Sequence, residues 1–331
     1  MSFKALRITE NKDGKIERSI IQRELDDLPI GEVLVKVQYS SLNYKDAMSA
    51  NGHKGITKQF PHTPGIDAGG IVEMSKNAAF AADDEVIVTG YDLGMNTDGG
   101  FAEYIRVPAD WVVPRPRTLT LKDCMSLGTA GYTAAVALYK MQALHQDPSM
   151  GPIIVTGSTG GVGSLAIALL SKAGYEVIAV TGKSNAEDYL KHLGASRVES
   201  RAFLEDHSGK SLLKTKWAGA IDTVGGITLS MLLKACGPEG TIVSTGMVQS
   251  HALTTTIYPF ILNGVNLAGV GSAGMNMTTR KKIWKLLEED WNIKDKFPAI
   301  VKEIKLEELA TNHIETMLEG KNMGRTVIKI L

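Results

Sequence analysis

The residues most able to do chemistry form a glycine-rich segment at 157–163, Gly-Ser-Thr-Gly-Gly-Val-Gly, which follows the apolar run Ile-Ile-Val-Thr and leads into a helical pattern. Glycines at such a junction let the backbone approach a pyrophosphate, and the helix N-terminus offers free amides and a positive dipole. Serine at 158 leaves the motif one glycine short of the strict fingerprint. We expect a dinucleotide phosphate to contact Ser158, Thr159, Gly160, Gly161, Val162 and Gly163.

The next apolar strand, 176–180, ends where such a unit places its ribose-binding residue. The residues there are Thr181, Gly182, Lys183 and Ser184, so no carboxylate stands ready to accept hydrogen bonds from the ribose hydroxyls of NAD or to repel a 2′-phosphate. A lysine between two hydroxyls suits that phosphate. Arg201, beyond a third strand near 197–199, is expected to add a second cation. The sequence therefore predicts NADPH as the cofactor.

The elements that position these residues change in character near residue 121. Before it, short β-rich runs separated by glycine and proline predict a small barrel-like β domain, with strands at 3–8, 32–40, 70–73, 85–89 and 101–108. After it, a helix is expected from Leu121 past Ala143, interrupted around Gly128 and Gly131.

Beyond that helix, strands alternate with helices, which is typical of parallel βαβ units and predicts a Rossmann sheet of six strands. The strands are expected at 153–156, 176–180, 197–199, 218–222, 241–245 and 266–270, and the helices at 162–173, 185–193, 226–236 and 278–290. A last strand at 325–330 is expected to pair back with the first domain.

Length and composition limit the class of protein. A chain of 331 residues exceeds what one core usually supports, so two domains are expected. Thirty-six basic residues balance thirty-six acidic ones, which disfavours nucleic acid and anionic membranes as partners. The first eleven residues lack an apolar signal core and no membrane span is visible, so a cytoplasmic location is expected. Cys124 and Cys236 are expected to be small buried residues.

Several strings together resemble the medium-chain dehydrogenase/reductase superfamily along the whole chain. They are Ser-Ser-Leu-Asn-Tyr-Lys-Asp at 40–46, Pro-Gly-Ile-Asp at 64–67, Gly-Thr-Ala-Gly-Tyr-Thr-Ala at 128–134, the glycine-rich turn, Gly-Ala-Ile-Asp-Thr-Val-Gly at 219–225 and Tyr-Pro-Phe-Ile-Leu at 258–262. They are similar to the zinc-free quinone oxidoreductase branch, and within it to the acrylyl-CoA reductase (NADPH) subgroup. One departure is Gly-Val-Gly-Ser at 269–272, where the subgroup usually has Gly-Ile-Asp-Ser.

The resemblance implies an α/β protein with two domains. The first is a GroES-like β-barrel domain at 1–120, completed by 293–331, which binds the substrate and carries the catalytic residues. The second is a Rossmann doubly wound parallel sheet at 121–292, which binds NADPH. Asn43 and Ile66 stand where the zinc enzymes of the superfamily carry a cysteine and a histidine. Because a zinc site needs three ligands, we expect no metal.

Without a metal, a reductase of activated double bonds must stabilise an enolate with hydrogen-bond donors placed in advance. Asn43, Tyr44 and nearby amides are the candidates, with Asp46 orienting Tyr44 or Lys45 and Tyr44 free to deliver a proton or to pack on the nicotinamide. Asp67 and Thr129 complete the expected catalytic set. The competing interpretation of residues 43–46 is a turn whose Asn and Asp bond only local backbone, and that of Asp67 is an aspartate that bonds only its own loop.

The remaining contacts expected from fold position and resemblance fall into two groups. Cofactor contacts are expected from Tyr44, Thr245, Gly246, Met247, Ile261, Gly271, Ser272, Asn322 and Arg325. If the substrate is a coenzyme A thioester, its phosphates need cations, for which the candidates are Lys54, Lys58 and Arg280.

The leading hypothesis is reduction of acryloyl-CoA to propanoyl-CoA by hydride transfer from NADPH to the β-carbon. The alternatives are an NADPH-dependent quinone or enone reductase and an NADPH-binding protein without turnover. A homodimer is expected because Rossmann edge strands in the superfamily often pair across a two-fold axis.

Overall fold

The structure is a computed structural model that describes residues 1–331. Its fifteen strands are β1 (Ser2–Glu10), β2 (Ile16–Glu24), β3 (Val33–Leu42), β4 (Asp67–Ser75), β5 (Glu85–Thr89), β6 (Tyr104–Val107), β7 (Val112–Pro114), β8 (Ile153–Thr156), β9 (Val177–Thr181), β10 (Arg197–Ser200), β11 (Trp217–Asp222), β12 (Cys236–Ser244), β13 (Asn266–Gly269), β14 (Val301–Lys305) and β15 (Arg325–Lys329).

The α-helices are α1 (Tyr44–Ala50), α2 (Leu121–Ala143), α3 (Gly161–Lys172), α4 (Glu187–Leu193), α5 (Gly226–Lys234), α6 (Tyr258–Asn263), α7 (Met277–Glu288), α8 (Phe297–Ile300), α9 (Leu306–Glu308) and α10 (Ile314–Leu318). Short 3₁₀ turns lie at Leu25–Asp27, Ala109–Trp111, Pro148–Met150, Arg201–Leu204 and Lys294–Lys296, and a π-helical turn at Leu309–His313. No helix is long and apolar enough to cross a membrane.

The chain divides into two compact units. Unit 1 contains Met1–Thr129, Ala273–Glu288 and Ile300–Leu331, and unit 2 contains Ala130–Ser272 and Glu289–Ala299. Unit 1 is therefore assembled from three separated segments, whereas most of unit 2 is one continuous stretch. The chain passes from the first unit to the second inside α2.

Unit 2 is built on a six-stranded parallel sheet in the order β10-β9-β8-β11-β12-β13. Counted from β8, this is the order 3-2-1-4-5-6 of a doubly wound dinucleotide-binding sheet. The two central strands β8 and β11 are buried along their whole length, as expected where helices cover both faces. Cys236 lies in the core with Trp217, whose indole N–H donates to the carbonyl of Leu232 at 2.9 Å. The predicted Rossmann sheet of six strands is confirmed.

Unit 1 contains a seven-stranded sheet in the order β14-β15-β3-β4-β5-β7, with β6 also paired to β3, and a separate β1-β2 hairpin. Alternate residues of β3 to β6 bury valine and isoleucine side chains in one cluster, which gives the period of two seen in the sequence. The last strand, β15, pairs antiparallel with β3, with Thr326 opposite Leu42. The expected return of the C-terminal strand to the first domain is confirmed.

Both cysteines are buried and free, as predicted. Burial raises the pKa of the Cys124 thiol far above its ordinary value and that of Cys236 to about 12. Neither thiol is therefore available as a thiolate near neutral pH.

Candidate functional site

The glycine-rich turn in unit 2 has the geometry of an anion-binding cradle. Gly157 has φ +57°, and Gly160 is the N-cap of α3. A Cβ at Gly163 would overlap the carbonyl oxygen of Gly157, so only glycine lets α3 begin this close to the strand. The first amides of α3, those of Gly161 and the two residues after it, have no partner within the helix and are directed outward from its N-terminus.

Ser158 fills the position where the strict fingerprint has glycine, and its side chain points inward. It is fully buried, and its hydroxyl donates to the carbonyls of Val155 at 2.7 Å and Val180 at 2.9 Å. The expected cofactor contact through Ser158 is therefore wrong. The residue instead ties the end of β8 to β9 and fixes the shape of the turn.

The ends of the central strands β8 and β11 are joined by a hydrogen-bond network. The Thr156 hydroxyl donates to Asp222 at 2.6 Å, and the carboxylate also accepts the amides of Val224 and Gly225. Burial raises the pKa of Asp222. Thr223 closes the network by donating its hydroxyl to the carbonyl of Thr156 at 3.0 Å. In doubly wound sheets ligands bind beside this point, where the strand order reverses.

The end of β9 forms a pocket of about 230 Å³ in unit 2, lined by Thr181, Gly182, Lys183, Ser184, Glu187, Val198, Glu199 and Ser200. The Arg201 guanidinium lies against Gly182, where an added Cβ would stand 2.8 Å from Nε. Partial burial lowers the pKa of Lys183. Both acids of the pocket have cations elsewhere, since Glu187 pairs with Lys191 at 2.7 Å and Glu199 with Arg197 at 3.2 Å. Lys183 and Arg201 are thus two cations at the end of β9, one lining the pocket and the other against Gly182.

Other predicted cofactor residues of unit 2 lie at the carboxyl ends of the last two strands and on α6. Thr245 donates its amide to the carbonyl of Asp222 at 2.8 Å, and Gly246 lies so close to the carbonyl of Thr223 that a Cβ would overlap it. Ser272 accepts a hydrogen bond from Thr133 at 2.8 Å. Met247, Ile261 and Gly271 are exposed.

In unit 1 the predicted catalytic residues converge on the Asp67 carboxylate, which is fully buried. One oxygen accepts the Thr129 hydroxyl at 2.6 Å and the Thr129 amide at 2.9 Å. The other accepts the Ser41 hydroxyl at 2.6 Å and the Asn43 amide at 2.7 Å. The Arg325 guanidinium lies 3.7 Å away. The alternative in which Asp67 bonds only its own loop is wrong.

Asn43, expected to donate to an enolate, has its side chain fully engaged within the protein. Its amide nitrogen donates to Asp67, to Asp46 at 3.2 Å and to the carbonyl of Ser41 at 3.2 Å, while its oxygen accepts from Arg325 at 2.9 Å. Since an amide has only two N–H donors, none is left for a ligand. Asn43 is therefore a positioning residue, and its predicted donor role is corrected.

Asp46 accepts only N–H donors. One oxygen accepts the amides of Gly65 at 3.2 Å and Ile66 at 2.8 Å, and the other accepts the backbone and side-chain amides of Asn43. It therefore fixes the 64–66 loop and Asn43, whereas the expected role in orienting Tyr44 or Lys45 is wrong. Complete burial, followed by the nearby charge of Asp67, raises the pKa of Asp46 to about 7.

Arg325 on β15 is equally buried, and burial lowers its pKa. It donates to the carbonyls of Ser126 and Leu42, to Asn43 and to the Ser41 hydroxyl at 2.7 Å. Because its N–H groups are used inside unit 1, the predicted cofactor contact through Arg325 is corrected to an internal role.

Two other predicted residues of unit 1 remain accessible. Tyr44 is the first residue of α1, directly after Asn43, and 43% of its surface is exposed. Its exposure sets it apart from the buried residues around Asp67. Asn322 is half-buried before β15.

The three basic residues predicted to bind the substrate lie in different environments. Arg280 is buried in unit 1, where its guanidinium donates to the carbonyl and hydroxyl of Thr89 and to the carbonyl of Ala273, and lies 4.4 Å above the Tyr91 ring. A coenzyme A phosphate cannot reach it, so that prediction is wrong. Lys54 and Lys58 are exposed, and Lys54 pairs with Glu10 at 2.5 Å.

Two residues important to the Asp67 cluster were absent from the predicted site. Ser41 is buried inside β3, and Gly128, with φ 51° and ψ −156°, breaks α2 beside the carboxylate. The signal available for Ser41 was a pair of serines directly before Leu42 at the end of β3, a strand that also contains Lys36 and Gln38. The expected interruption at Gly128 is confirmed, whereas at Gly131 the helix continues.

No group of three or more His, Cys, Asp or Glu side chains gathers in a way that could hold a metal ion. At the two positions singled out for zinc ligands, the Asn43 amide is hydrogen-bonded as described and Ile66 is buried.

Comparison with known proteins agrees with this architecture. The alcohol dehydrogenase GroES-like domain matches residues 29–117, and the zinc-binding dehydrogenase family matches residues 161–289. A GroES-like unit joined to a Rossmann sheet defines the medium-chain dehydrogenase/reductase superfamily, and the chain belongs to it.

Within this superfamily, the chain is similar over its full length to proteins named as quinone oxidoreductases and acrylyl-CoA reductases. The chain is 40% identical to "Putative quinone oxidoreductase YhfP" of Bacillus subtilis and 36% identical to acrylyl-CoA reductase AcuI of Ruegeria pomeroyi, in each case over 99% of both chains. The crystal structure of Escherichia coli YhdH with bound NADPH superposes with a TM-score of 0.94 at 41% identity, covering 99% of this chain and all of that one. YhfP, solved with NAD bound, superposes with a TM-score of 0.96 at 40% identity, covering all of both chains.

Proposed function

We propose that the protein is an NADPH-dependent, zinc-independent oxidoreductase that reduces acryloyl-CoA to propanoyl-CoA. A hydride adds to the β-carbon, the electrons of the double bond move toward the thioester carbonyl, and a proton completes the α-carbon, leaving NADP⁺. The observation that carries the proposal is the full-length similarity to AcuI, a relative named for this reaction.

The residues of unit 2 fit a dinucleotide cofactor. The free amides at the start of α3, beside a turn that tolerates no Cβ at Gly163, suit the pyrophosphate. Lys183 and Arg201 suit a 2′-phosphate, because residues 181–184 at the end of β9 include a lysine and no carboxylate, and the two acids of the pocket, Glu187 and Glu199, are paired with Lys191 and Arg197. When bound, NADPH supplies the hydride. The cofactor predicted from the sequence, NADPH, agrees with the NADPH bound in the relative YhdH, whereas the relative YhfP is solved with NAD.

Unit 1 supplies the protic groups for the substrate. With the Asn43 amide occupied, we assign the hydroxyl of the partly exposed Tyr44 to stabilise the enolate oxygen or to protonate the α-carbon. Asp46 accepts the backbone amide of Asn43, and the Asn43 side chain donates to the carbonyl of Ser41, so both fix the backbone directly before Tyr44 and neither contacts the Tyr44 side chain. A metal has no part in the proposal, since no three potential ligands converge.

Reduction of a quinone or small enone is the second candidate, favoured by the similarity to YhfP over 99% of both chains. An NADPH-binding protein without turnover is the third. The cytoplasmic location expected from the sequence belongs to the same proposal.

The test is NADPH oxidation with acryloyl-CoA, crotonyl-CoA, a simple enone and a quinone side by side. We expect kcat/KM to be highest for acryloyl-CoA. A preference for the quinone would replace the first candidate with the second, and tight NADPH binding without oxidation of any acceptor would favour the third.

A double variant tests whether Lys54 and Lys58 bind the phosphates of the coenzyme A thioester. In Lys54→Ala/Lys58→Ala, two exposed cations are removed from one loop, so KM for acryloyl-CoA should rise while quinone kinetics remain unchanged. Unaltered thioester kinetics would remove this loop from the coenzyme A site.

A further inference from the structure

The break in α2 at Gly128 places the end of one helical segment next to the start of another. Gly128, whose φ and ψ only glycine adopts readily, ends the first segment and starts the second. A helix that ends has carbonyls that accept no hydrogen bond within the helix, and one that begins has amides that donate none within it. Ser126 supplies such a carbonyl and Thr129 such an amide.

A cationic side chain is hydrogen-bonded to the first of these helix ends, and an anionic side chain to the second. Arg325 donates Nε to the carbonyl of Ser126 at 3.2 Å, where the helix dipole is negative. Asp67 accepts the amide of Thr129 at 2.9 Å, where the dipole is positive. The buried pair is thus matched to the broken helix, and each charge is bonded to one of its ends.

Ser41 is the link between the charges. Arg325 Nη2 and Asp67 Oδ2 are 3.7 Å apart, too far for a hydrogen bond, and the Ser41 hydroxyl bridges them. It accepts from the guanidinium at 2.7 Å and donates to the carboxylate at 2.6 Å. The serine is fully buried, so no water substitutes for it from bulk solvent.

We propose that Ser41 is a positioning residue whose hydroxyl keeps Asp67 and Arg325 on the two helix ends at Gly128, and thereby fixes Thr129 and Asn43. Without the hydroxyl, Asp67 loses one of its donors and the guanidinium loses an acceptor. Both Thr129 and Asn43 then lose the rigid partner that sets their side chains.

The effect on turnover rests on the proposed function. Because Ser41 lies in unit 1, its loss should lower kcat and leave binding of the cofactor phosphates by unit 2 unchanged. We expect kcat with acryloyl-CoA to fall about tenfold, the loss typical of one hydrogen bond to a buried charge. The Kd for NADPH, measured by nicotinamide fluorescence, should not change.

The sharpest comparison is Ser41→Thr against Ser41→Val. The two side chains have nearly the same shape, so any crowding in β3 is shared, and only threonine keeps the hydroxyl. Ser41→Thr should recover most of the wild-type kcat, whereas Ser41→Val should not.

If both bulkier variants fail to fold, Ser41→Ala against Ser40→Ala makes the same comparison. Ser40 is equally buried, but its hydroxyl donates to the backbone carbonyl of Asp67 at 2.6 Å and not to the carboxylate. Ser41→Ala should lower kcat, and Ser40→Ala should lower only stability.

Hydrogen exchange tests the proposal without activity. The amide of Thr129, followed by mass spectrometry of a peptide spanning 121–135, should exchange faster in Ser41→Val and Ser41→Ala than in Ser41→Thr and Ser40→Ala. Equal exchange in all variants would overturn the positioning role. Absence of turnover in the wild type, with the exchange pattern intact, would instead overturn the proposed function alone.

Discussion

Lys183 is the residue on which the expected preference for NADPH over NADH depends most directly. In Lys183→Asp, a carboxylate replaces the cation at the end of β9, repels a 2′-phosphate and can accept hydrogen bonds from ribose hydroxyls. We expect KM for NADPH to rise more than about tenfold and KM for NADH to change far less. Steady-state kinetics with both cofactors measures the split.

The matched control is Lys210→Asp, which makes the same change of charge on an exposed loop of unit 2 that does not line this pocket. It should leave both Michaelis constants unchanged. If Lys183→Asp changed KM for NADPH and KM for NADH equally, Lys183 would not be the residue that binds the 2′-phosphate.

Asp46 gives unit 1 a dependence on pH. Its pKa of about 7 in the folded chain lies above the ordinary value of 3.8, so between these values the folded protein holds a proton that the unfolded chain releases. The contribution of Asp46 to stability is therefore complete below about pH 4 and is lost as pH rises through 7. The urea midpoint of the wild type should fall between pH 5 and pH 8.

Asp46→Asn removes this titration, so its urea midpoint should depend less on pH, even though the amide loses hydrogen bonds and lowers stability throughout. Asp26→Asn, at an exposed position, should keep the wild-type slope. A slope unchanged in Asp46→Asn would assign the pH dependence to other groups.

At the scale of elements, the break in α2 is the feature that brings the buried cluster together. A Cβ in Gly128→Ala would stand 2.5 Å from Asp67 Oδ2 and 2.8 Å from Arg325 Nη2, at a φ that alanine adopts only with strain. We expect a loss of about 3 kcal/mol or more in the free energy of unfolding, measured in urea.

Comparison with Gly174→Ala separates the cost of backbone strain from the cost of crowding around the new Cβ. Gly174 also has a positive φ, +86°, but nothing lies within 4 Å of a Cβ placed there. It should cost about 1 kcal/mol. If the two variants lose the same stability, the crowding at Gly128 is irrelevant.

The elements also show where sequence patterns succeed and where they fail. Strands β5 and β8 were predicted with the bounds observed, because each is a short apolar run between turns. Strand β2 was missed because only Arg23 among its residues is buried, so its sequence shows no apolar alternation. At the site, the glycine turn was recognisable from spacing alone. The hydrogen bonds of Asn43, by contrast, depend on Arg325, which is distant in sequence and reaches it only through the pairing of β15 with β3.

At the scale of the whole molecule, the segment of unit 2 that leads from β12 into the edge strand β13 carries a set of exposed apolar side chains, which we call the apolar surface. The apolar surface consists of Met247, Val248, Ile257, Tyr258, Ile261, Leu262 and Leu267, each at least 39% exposed. Strand β13, at the edge, has unpaired backbone groups along one side. We expect a second copy of the chain to cover this surface by pairing the two edges, because monomers rarely expose such a patch.

Light scattering after size-exclusion chromatography measures this expectation. The wild type should elute as a dimer and Leu262→Glu as a monomer. Met74→Glu, which changes a half-exposed methionine of unit 1, should stay dimeric. A monomeric wild type at micromolar concentration would refute the expected homodimer.

The division of unit 1 into three segments has a consequence for how the protein is made. Residues 1–129 leave the ribosome long before Arg325, on β15, whose guanidinium holds the broken helix. Unit 2, nearly continuous, can fold meanwhile, because domains fold as units during synthesis. We therefore expect a chain truncated after Ala299, which contains all of unit 2 and lacks β15, to protect unit 2 from protease while the earlier segment of unit 1 is still cleaved. Protection of both units at that length would show that the first segment needs no later partner.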